Sequence, residues 1–246
     1  MPAWDAGLVH GLPRLIYGVS SHLVPPDPSW PDTVTSLPDW WRPQRLLPTR
    51  EPEGLLDPKL RRFLALHAPT KPVYVGMGSM VGLHLVGEEA ELVRIFTEAL
   101  AQLGLPAIMC GFGAETVSVE DEVASQESPR CIFVEGFVPH DILFPHVCLV
   151  VHHGGSGTVA AAVHAGRPQC LVPCHFDQFL WAERVGHLGI GESAGPVHRV
   201  TKEGLVSAMK AALKAKQVDA YRQLVSSEPN AAQATASTVQ GLVSRD

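Results

Sequence analysis

A glycine-rich heptapeptide, His152–Thr158 (HHGGSGT), is the segment of this sequence whose residue types indicate chemistry most strongly. It follows an apolar run at Leu149–Val151 and opens a small-residue helical pattern at Ser156–Ala165. Glycine allows another group to approach the backbone closely, and a helix N-terminus offers unpaired N–H groups and a partial positive charge. With an adjacent imidazole as donor, these features favour a diphosphate site. The alternative is a glycine turn with serine as the helix N-cap.

Three other loops follow predicted strands and carry residues suited to ligand binding. Gly76–Met80 offers small residues and the Ser79 hydroxyl directly after a β-branched run. The pair Asp177-Gln178 places a carboxylate beside an amide, so it can accept and donate hydrogen bonds to vicinal hydroxyl groups. Gly136–Asp141 combines the flat side chain of Phe137 with backbone amides that can hold a nucleobase.

Each of these three loops also has a structural interpretation. A strand that ends in a glycine turn is common, so Gly76–Met80 is weak evidence on its own. Asp177 can cap the helix that follows Pro173. Gly136–Asp141 can form a short helix begun by its proline, with Asp141 in the first turn. The residues alone leave these alternatives open.

Several familiar motifs are excluded by their context. Gly189–Ala194 fits the spacing of a dinucleotide fingerprint, but Gly195-Pro196 follows it where a helix is required. The sequence has no Walker A loop, and Gly154–Gly157 lacks the spacing of a hydrolase nucleophile elbow. Histidines in a glycine turn suit phosphate better than a metal, and no Cys-x-x-Cys pair supports structural zinc. We therefore expect neither a metal nor a cofactor.

Strands and helices alternate from residue 71 onward. The strands are short, continuous apolar runs, which is typical of a parallel sheet buried on both faces. The predicted strands are Val73–Gly78, Pro106–Cys110, Cys131–Glu135, Leu149–His152 and Gln169–Pro173. Helical spacing of apolar residues predicts the helices Pro58–His67, Glu88–Leu103, Ser156–Ala165, Phe176–His187, Lys202–Lys214, Asp219–Ser226 and Ala231–Val243. This alternation predicts an α/β, Rossmann-like fold: a mostly parallel sheet with helices on both faces, whose ligands bind beyond the carboxyl ends of the strands.

The first 70 residues differ in composition from the remainder. They hold 12 of the 21 prolines and four of the five tryptophans, with little sustained periodicity. Because proline favours extended backbone for itself and the preceding residue, Leu23–Pro31 and Pro38–Pro48 are expected to be extended. We predict that residues 1–70 are the remnant of a preceding domain with a linker, residues 71–226 the Rossmann-like domain, and residues 227–246 a helical tail.

Composition excludes several functional classes. The 246 residues are 46% hydrophobic and 18% charged, as in globular proteins. A net charge of −6 without a basic stripe argues against nucleic-acid binding. No apolar run is long enough to span a bilayer, and the N-terminus lacks the pattern of a secretory signal. Five cysteines, an odd number within or beside apolar runs, indicate buried reduced thiols and a cytoplasmic location.

The segment Gly136–Gly191 resembles the donor-binding signature of UDP-glycosyltransferases with the GT-B fold, in the branch of the sterol glucosyltransferases and the macrolide and glycopeptide glycosyltransferases. Its sequence is GFVPHDILFPHVCLVVHHGGSGTVAAAVHAGRPQCLVPCHFDQFLWAERVGHLGIG. Lys71–Met80 is similar to the first strand and glycine-serine loop of that family's C-terminal domain. Leu15–Pro31 resembles the end of its N-terminal domain. Two departures are Ile142, where the sterol branch usually has tryptophan, and Cys174–Phe176, which replaces a more usual Phe-Phe-Gly.

The resemblance implies a role for each of the singled-out residues. It implies that Phe137 and the Val138 backbone lie against uracil, and that Asp177-Gln178 binds the hexose hydroxyls. The diphosphate would be held by the Ser79 hydroxyl, the His152 ring and the backbone amides of Gly154, Gly155, Ser156, Gly157 and Thr158.

The resemblance also implies the reaction: inverting transfer of a hexose, with glucose expected, from a UDP-sugar to a sterol-like or other small hydrophobic hydroxyl acceptor. In the family the acceptor site and the catalytic base belong to the N-terminal domain, so no base is assigned here. The alternatives are a partner-dependent donor half of a split transferase, whose acceptor half is a separate and often membrane-bound chain, and a UDP-sugar epimerase. Peripheral contact with a membrane stays open.

Overall fold

The computed structural model describes residues 15–38, 56–112, 129–136 and 138–243. The chain divides into two compact units, one of residues 1–42 with 220–246 and a larger one of residues 43–219. Within the described residues the strands are β1 (Leu15–Gly18), β2 (Val34–Leu37), β3 (Val73–Gly76), β4 (Ala107–Cys110), β5 (Cys131–Val134), β6 (Leu149–His152), β7 (Gln169–Leu171) and β8 (Gly191–Ser193). The helices are α1 (Pro58–Leu66), α2 (Glu89–Leu103), α3 (His140–Leu143), α4 (Ser156–His164), α5 (Gln178–His187), α6 (Lys202–Ala212), α7 (Val218–Ser227) and α8 (Ala231–Val243).

The larger unit is built on a six-stranded parallel sheet with the order β5-β4-β3-β6-β7-β8. The chain runs outward in one direction from β3 and in the other from β6, so the strand order reverses between these two strands. Right-handed crossovers in opposite directions place their helices on opposite faces, with α2 on one face and α4 and α5 on the other. The predicted Rossmann-like fold is therefore confirmed, and the reversal marks the point where ligands bind in such sheets.

Continuous apolar sequence explains why the central strands form. All four residues of β3, β4 and β6 are buried, as required of strands covered on both faces. Helix α2 buries an apolar stripe that includes Phe96 and Leu100, and it ends at Gly104, whose positive φ of 66° suits a glycine C-cap. This helix packs against α6, which also contacts β7 and β8.

Small side chains let α4 pack closely on its neighbours. Val159–Val163 are all buried along this helix, and α4 contacts both α3 and α5. A helix with apolar residues on nearly all sides is expected to be enclosed by other elements. The close packing fixes the N-terminus of α4 at the carboxyl edge of the sheet.

Strand β8 was missed by the sequence analysis. Its three residues are half-buried and follow a glycine-rich stretch with no β-branched run. An added Cβ at Gly191 would lie 2.2 Å from the backbone oxygen of Gln169 in β7, so the pairing of these two strands requires glycine. The segment rejected as a dinucleotide fingerprint is therefore the edge of the sheet.

The smaller unit contains a second sheet that the proline-rich composition did not predict. Its strands β1 and β2 pair in parallel, and α8 packs on β2. Tyr17 and Trp30 meet edge to face with ring centroids 5.3 Å apart. The buried Ser20 hydroxyl donates to the Glu228 carboxylate at 2.7 Å. Of the two stretches expected to be extended, Pro38–Pro48 lies outside the described residues except for its first proline.

The five cysteines are free thiols, as predicted. Three are buried and two are half-buried. Burial raises the pKa of the Cys110, Cys131 and Cys170 thiols to about 12, so they stay protonated and unreactive. Across the described part of the chain, no helix has the length and apolar character needed to cross a membrane.

Candidate functional site

The loops that follow β3 and β6 meet at the reversal of strand order. The two strands run in register, with Gly76 opposite His152. The next residues along the chain, Met77–Met80 after β3 and His153–Gly155 after β6, therefore emerge side by side at the carboxyl edge. Both loops were predicted to contact a ligand, and the sheet brings them together.

His152 is a buried structural residue, which corrects its predicted role as a diphosphate ligand. Its side chain is fully inaccessible to solvent. The Nδ1 atom accepts from the Gly154 N–H at 3.1 Å, so the proton sits on Nε2, which donates to Gln169 Oε1 at 3.0 Å. Burial lowers the pKa of this imidazole to about 3, with a further contribution from His153. Both ring nitrogens are thus used within the protein.

His153 is the imidazole that lies at the surface of the site. Its ring fits between two glycines: an added Cβ would lie 2.7 Å from its Cε1 at Gly78 and 2.6 Å from its Nε2 at Gly155. Burial lowers the pKa of His153, while a backbone interaction with Gly76 and the charge of Asp177 act in the opposite direction. Its Nδ1 is buried and makes no hydrogen bond to any described residue, so a ligand at this edge would have to meet the ring through Nε2.

The amides at the start of α4 are partly paired. The Gly154 N–H donates to His152 and the Thr158 N–H donates to the Gly155 carbonyl at 3.0 Å, so neither is free for a ligand as predicted. The backbone N–H groups of Gly155, Ser156 and Gly157 donate no hydrogen bond to another described residue. Ser156 and Gly157 are exposed, and the N-cap is Gly155 rather than the serine. Three free N–H groups and the helix dipole thus converge at one accessible point.

The loop after β3 presents Ser79 at the same edge. Ser79 lies exposed in a short 3-10 turn, Gly78–Met80, directly after the glycine that packs on the His153 ring. Gly78 has a positive φ of 57°, so close contact and backbone conformation both require glycine there. The Ser79 hydroxyl is accessible, as its predicted role requires.

The predicted sugar-binding pair separates into two different roles. Gln178 is buried, and its Oε1 accepts from the backbone N–H groups of Cys174 and His175 at 2.8 and 3.0 Å. Its Nε2 donates to Met80 Sδ at 3.4 Å. The side chain therefore fixes a turn, which corrects its predicted contact with hexose hydroxyls. Asp177 is exposed and its side chain makes no capping hydrogen bond, so its carboxylate stays available.

The start of α5 packs directly on the glycine-rich loop. Gly154 has a positive φ of 94°, and an added Cβ would lie 3.0 Å from the Gln178 carbonyl oxygen and 3.2 Å from Leu171 Cδ2. A larger residue at this position would displace α5. The loop after β6 and the loop after β7 are thus held together by contact at one glycine.

The loop after β5 forms the short helix α3, with Asp141 in its first turn. The structural interpretation of this loop is therefore correct, but it does not exclude ligand binding by the residues before the helix. Val138 has a buried side chain, and its backbone groups make no hydrogen bond to another described residue. Phe137, the other predicted uracil contact, lies outside the described residues.

Three ring side chains, Tyr74, His140 and Phe144, form a cluster at α3 that the sequence did not predict. His140 stacks on Phe144 with ring centroids 4.4 Å apart, and its Nε2 lies 3.2 Å from the Tyr74 hydroxyl. Burial lowers the pKa of His140 to about 4 and raises that of the Tyr74 phenol, so both stay neutral near pH 7. An added Cβ at Gly76 would lie 2.3 Å from the Tyr74 hydroxyl oxygen. The cluster therefore contacts the last residue of β3, just before the loop that carries Ser79.

The arrangement suits a bound anion. Free amides, a helix N-terminus and a neutral imidazole face one accessible edge, and the exposed carboxylate of Asp177 lies close enough for its charge to act on His153. Among the described residues no group of three or more histidine, cysteine or acidic side chains is arranged to hold a metal ion. Helix N-termini of this kind bind phosphate groups in parallel α/β proteins.

Residues 101–244 match the model of the C-terminal domain of the erythromycin biosynthesis protein CIII-like family. That range contains α4, the glycine-rich loop and the turn before α5. The match thus covers more than half of the chain, including most of the candidate site.

Two relatives show how the similarity is distributed. A sterol 3-beta-glucosyltransferase of Cryptococcus neoformans is 32% identical over 228 residues, which cover 87% of this chain and 14% of that protein. The vancomycin aglycone glucosyltransferase of Amycolatopsis orientalis is 37% identical over 169 residues, or 68% of this chain and 37% of that protein. The chain thus spans only a fraction of the length of these relatives.

A solved structure shares the fold. A spinosyn rhamnosyltransferase in complex with thymidine diphosphate is 20% identical, with a TM-score of 0.61. The alignment covers 92% of this chain and 56% of that one. At this identity the likeness establishes the fold alone, which is that of one Rossmann-like domain of a GT-B structure.

Proposed function

Because the chain belongs to the erythromycin biosynthesis protein CIII-like family of glycosyltransferases, we propose that it binds the UDP-sugar donor in the transfer of a hexose. The observation that carries this proposal is the group of free amides at Gly155–Gly157, at the N-terminus of α4 and beside the half-exposed ring of His153. An anion placed there meets several N–H donors and the positive end of a nine-residue helix.

The amides assist the reaction by stabilising the leaving group. When the bond between the anomeric carbon and the diphosphate breaks, negative charge grows on the departing UDP oxygen. Preorganised N–H donors lower the energy of that charge in the transition state more than in the ground state. A hydrogen bond from His153 to the diphosphate contributes in the same way, and the Ser79 hydroxyl approaches it from the loop after β3.

Two relatives and one structural neighbour support the proposed donor and acceptor. The names of the two relatives describe glucosyl transfer, to a sterol and to the vancomycin aglycone, and the structural neighbour holds thymidine diphosphate. These support a nucleoside diphosphate sugar, with UDP-glucose as the proposed donor and a sterol-like or other small hydrophobic hydroxyl compound as the acceptor. Asp177 is the proposed ligand of the hexose hydroxyls. Phe137 and the Val138 backbone are the proposed contacts of the uracil.

Inverting transfer also needs a base that removes the proton of the acceptor hydroxyl. The resemblance assigns that base to the acceptor domain of the family. We therefore propose that the chain supplies the donor half and that the acceptor half lies elsewhere, in the same or in a separate polypeptide. The second arrangement is a partner-dependent transferase.

Calorimetric titration of the full chain with UDP tests the donor site, with UMP as the matched ligand. UDP is expected to bind and to raise the melting temperature, because its β-phosphate reaches the free amides. UMP lacks that group and is expected to bind at least tenfold more weakly, which corresponds to about 1.4 kcal/mol. Both results are expected to be the same with EDTA or with magnesium. Absence of heat and of a thermal shift with UDP, or equal affinity for UMP, would contradict the proposal.

A further inference from the structure

Phe176 combines two unfavourable features at one residue. Its backbone has a positive φ of 48°, in the left-handed region that a bulky side chain rarely adopts. The residue is also 90% exposed, more than any other large hydrophobic residue of the described chain. Exposure of a whole phenyl ring and a strained backbone both cost folding free energy, and strain of this kind concentrates at binding sites.

The turn that carries Phe176 is held rigidly. The Gln178 side chain accepts from the backbone N–H groups of Cys174 and His175, and the Gln178 N–H donates to the His175 carbonyl at 3.1 Å. The Trp181 N–H donates to the Asp177 carbonyl at 2.9 Å. Hydrogen bonds on both sides of Phe176 therefore fix its backbone, so the ring projects from a preformed turn and not from a loose loop.

This turn borders the proposed diphosphate site. The Gln178 carbonyl packs on Gly154 of the glycine-rich loop. The next residue after Phe176 is Asp177, whose charge acts on His153 and whose carboxylate is free. The ring therefore lies one residue from the carboxylate proposed to bind hexose hydroxyls, at the edge where the group attached to the diphosphate must emerge.

We propose that the Phe176 ring packs against the C–H face of the hexose carried by the donor. A hexose presents hydroxyl groups around its edge and an apolar face of C–H groups, so a carboxylate beside an aromatic ring matches both surfaces. The hexose is favoured over the acceptor as the contact because Phe176 and Asp177 are neighbours in one rigid turn. This inference rests on the proposed donor site.

The test compares affinities for UDP-glucose and UDP in the full chain, by calorimetry. Phe176→Gly and Phe176→Ala both remove the ring and are expected to weaken UDP-glucose about 3- to 10-fold, while affinity for UDP stays within twofold. Phe176→Tyr keeps the ring and is expected to retain UDP-glucose affinity. Phe179→Ala, which removes another exposed phenyl ring of the same helix start, is the control and is expected to change neither affinity.

A stability measurement on the same variants separates strain from binding. Phe176→Gly relieves the positive φ and is expected to melt about 2–4 °C above Phe176→Ala, which keeps that backbone conformation. The inference is overturned if both variants bind UDP-glucose as the unchanged chain does, or if they lose UDP and UDP-glucose equally. If the unchanged chain binds neither ligand, the proposed donor site itself is wrong and the inference falls with it.

Discussion

Two adjacent imidazoles in the glycine-rich loop have different surroundings and are expected to respond differently to the same substitution. His153→Ala removes a half-exposed ring beside the free amides, so UDP affinity should fall by about 1.5–3 kcal/mol, as for a hydrogen bond to a charged group. His152→Ala instead leaves the Gly154 N–H and Gln169 Oε1 without partners in a buried position, and should lower the free energy of unfolding by about 1–3 kcal/mol.

Calorimetry with UDP and urea unfolding of both variants measure the two effects. His187→Ala, at an exposed position of α5, is the control and should change neither quantity. If both variants are folded and His152→Ala loses more UDP affinity than His153→Ala, the roles assigned to the two histidines must be exchanged.

The exchange of roles between these histidines shows what residue types alone can predict. Sequence patterns indicated correctly that an imidazole and free amides meet at the start of α4. They did not tell which imidazole faces the ligand, although Leu149–His152 was already predicted as a strand and the last residue of a buried strand is expected to be enclosed. Gln169, a polar residue that opens the apolar run of β7, was the available signal for the buried partner of His152. The hydrogen bonds from Cys174 and His175 to the Gln178 side chain could not be predicted from the sequence. An amide at the start of a helix is equally suited to binding a ligand.

At the scale of elements, glycine is required in β8 by the approach of β7. Gly191→Ala should lower the free energy of unfolding by about 1–3 kcal/mol, because the new Cβ would collide with the Gln169 carbonyl and with Val185 Cγ1. Gly186→Ala is the matched control within α5. Its added methyl group meets nothing within 4 Å, and alanine should raise helix stability by about 0.5–1 kcal/mol. Chemical unfolding of both variants tests the pairing of β7 with β8, and similar effects of the two substitutions would argue against it.

Elements with a strong periodic pattern were predicted to within a few residues. Helix α2 and strands β3, β4 and β6 have long apolar stripes or continuous apolar runs, and their existence follows from local sequence. Strands β2 and β8 lack that pattern, and the apolar run of β1 lies in the proline-rich part of the chain. They form because a neighbouring strand supplies the hydrogen bonds, and such tertiary effects leave little trace in a short segment.

At the scale of the whole molecule, buried neutral histidines should make stability depend on pH. Burial holds the pKa of His152 at about 3 and of His140 at about 4, below the value of 6.5 expected in the unfolded chain. The unfolded state therefore binds more protons between these limits, and stability that is complete above pH 6.5 should be lost as the pH falls toward 4.

Urea unfolding of the full chain at pH 7.5, 6.0 and 5.0 measures this dependence. The His152→Asn variant keeps an acceptor for the Gly154 N–H but cannot be protonated, so its stability should fall less steeply over the same range. His187→Gln, at an exposed site, should leave the slope unchanged. A slope that is identical in His152→Asn and the unchanged chain would show that His152 is not a buried neutral group.

The central claim is that the amides at the start of α4 bind the diphosphate of the donor. Backbone N–H resonances of the ¹⁵N-labelled full chain, followed during titration with UDP, test it most directly. The account predicts that Gly155, Ser156 and Gly157 shift most, together with His153, while the already paired amides of Gly154 and Thr158 shift less. UDP binding that leaves the three free amides unshifted and perturbs another part of the chain would contradict the account.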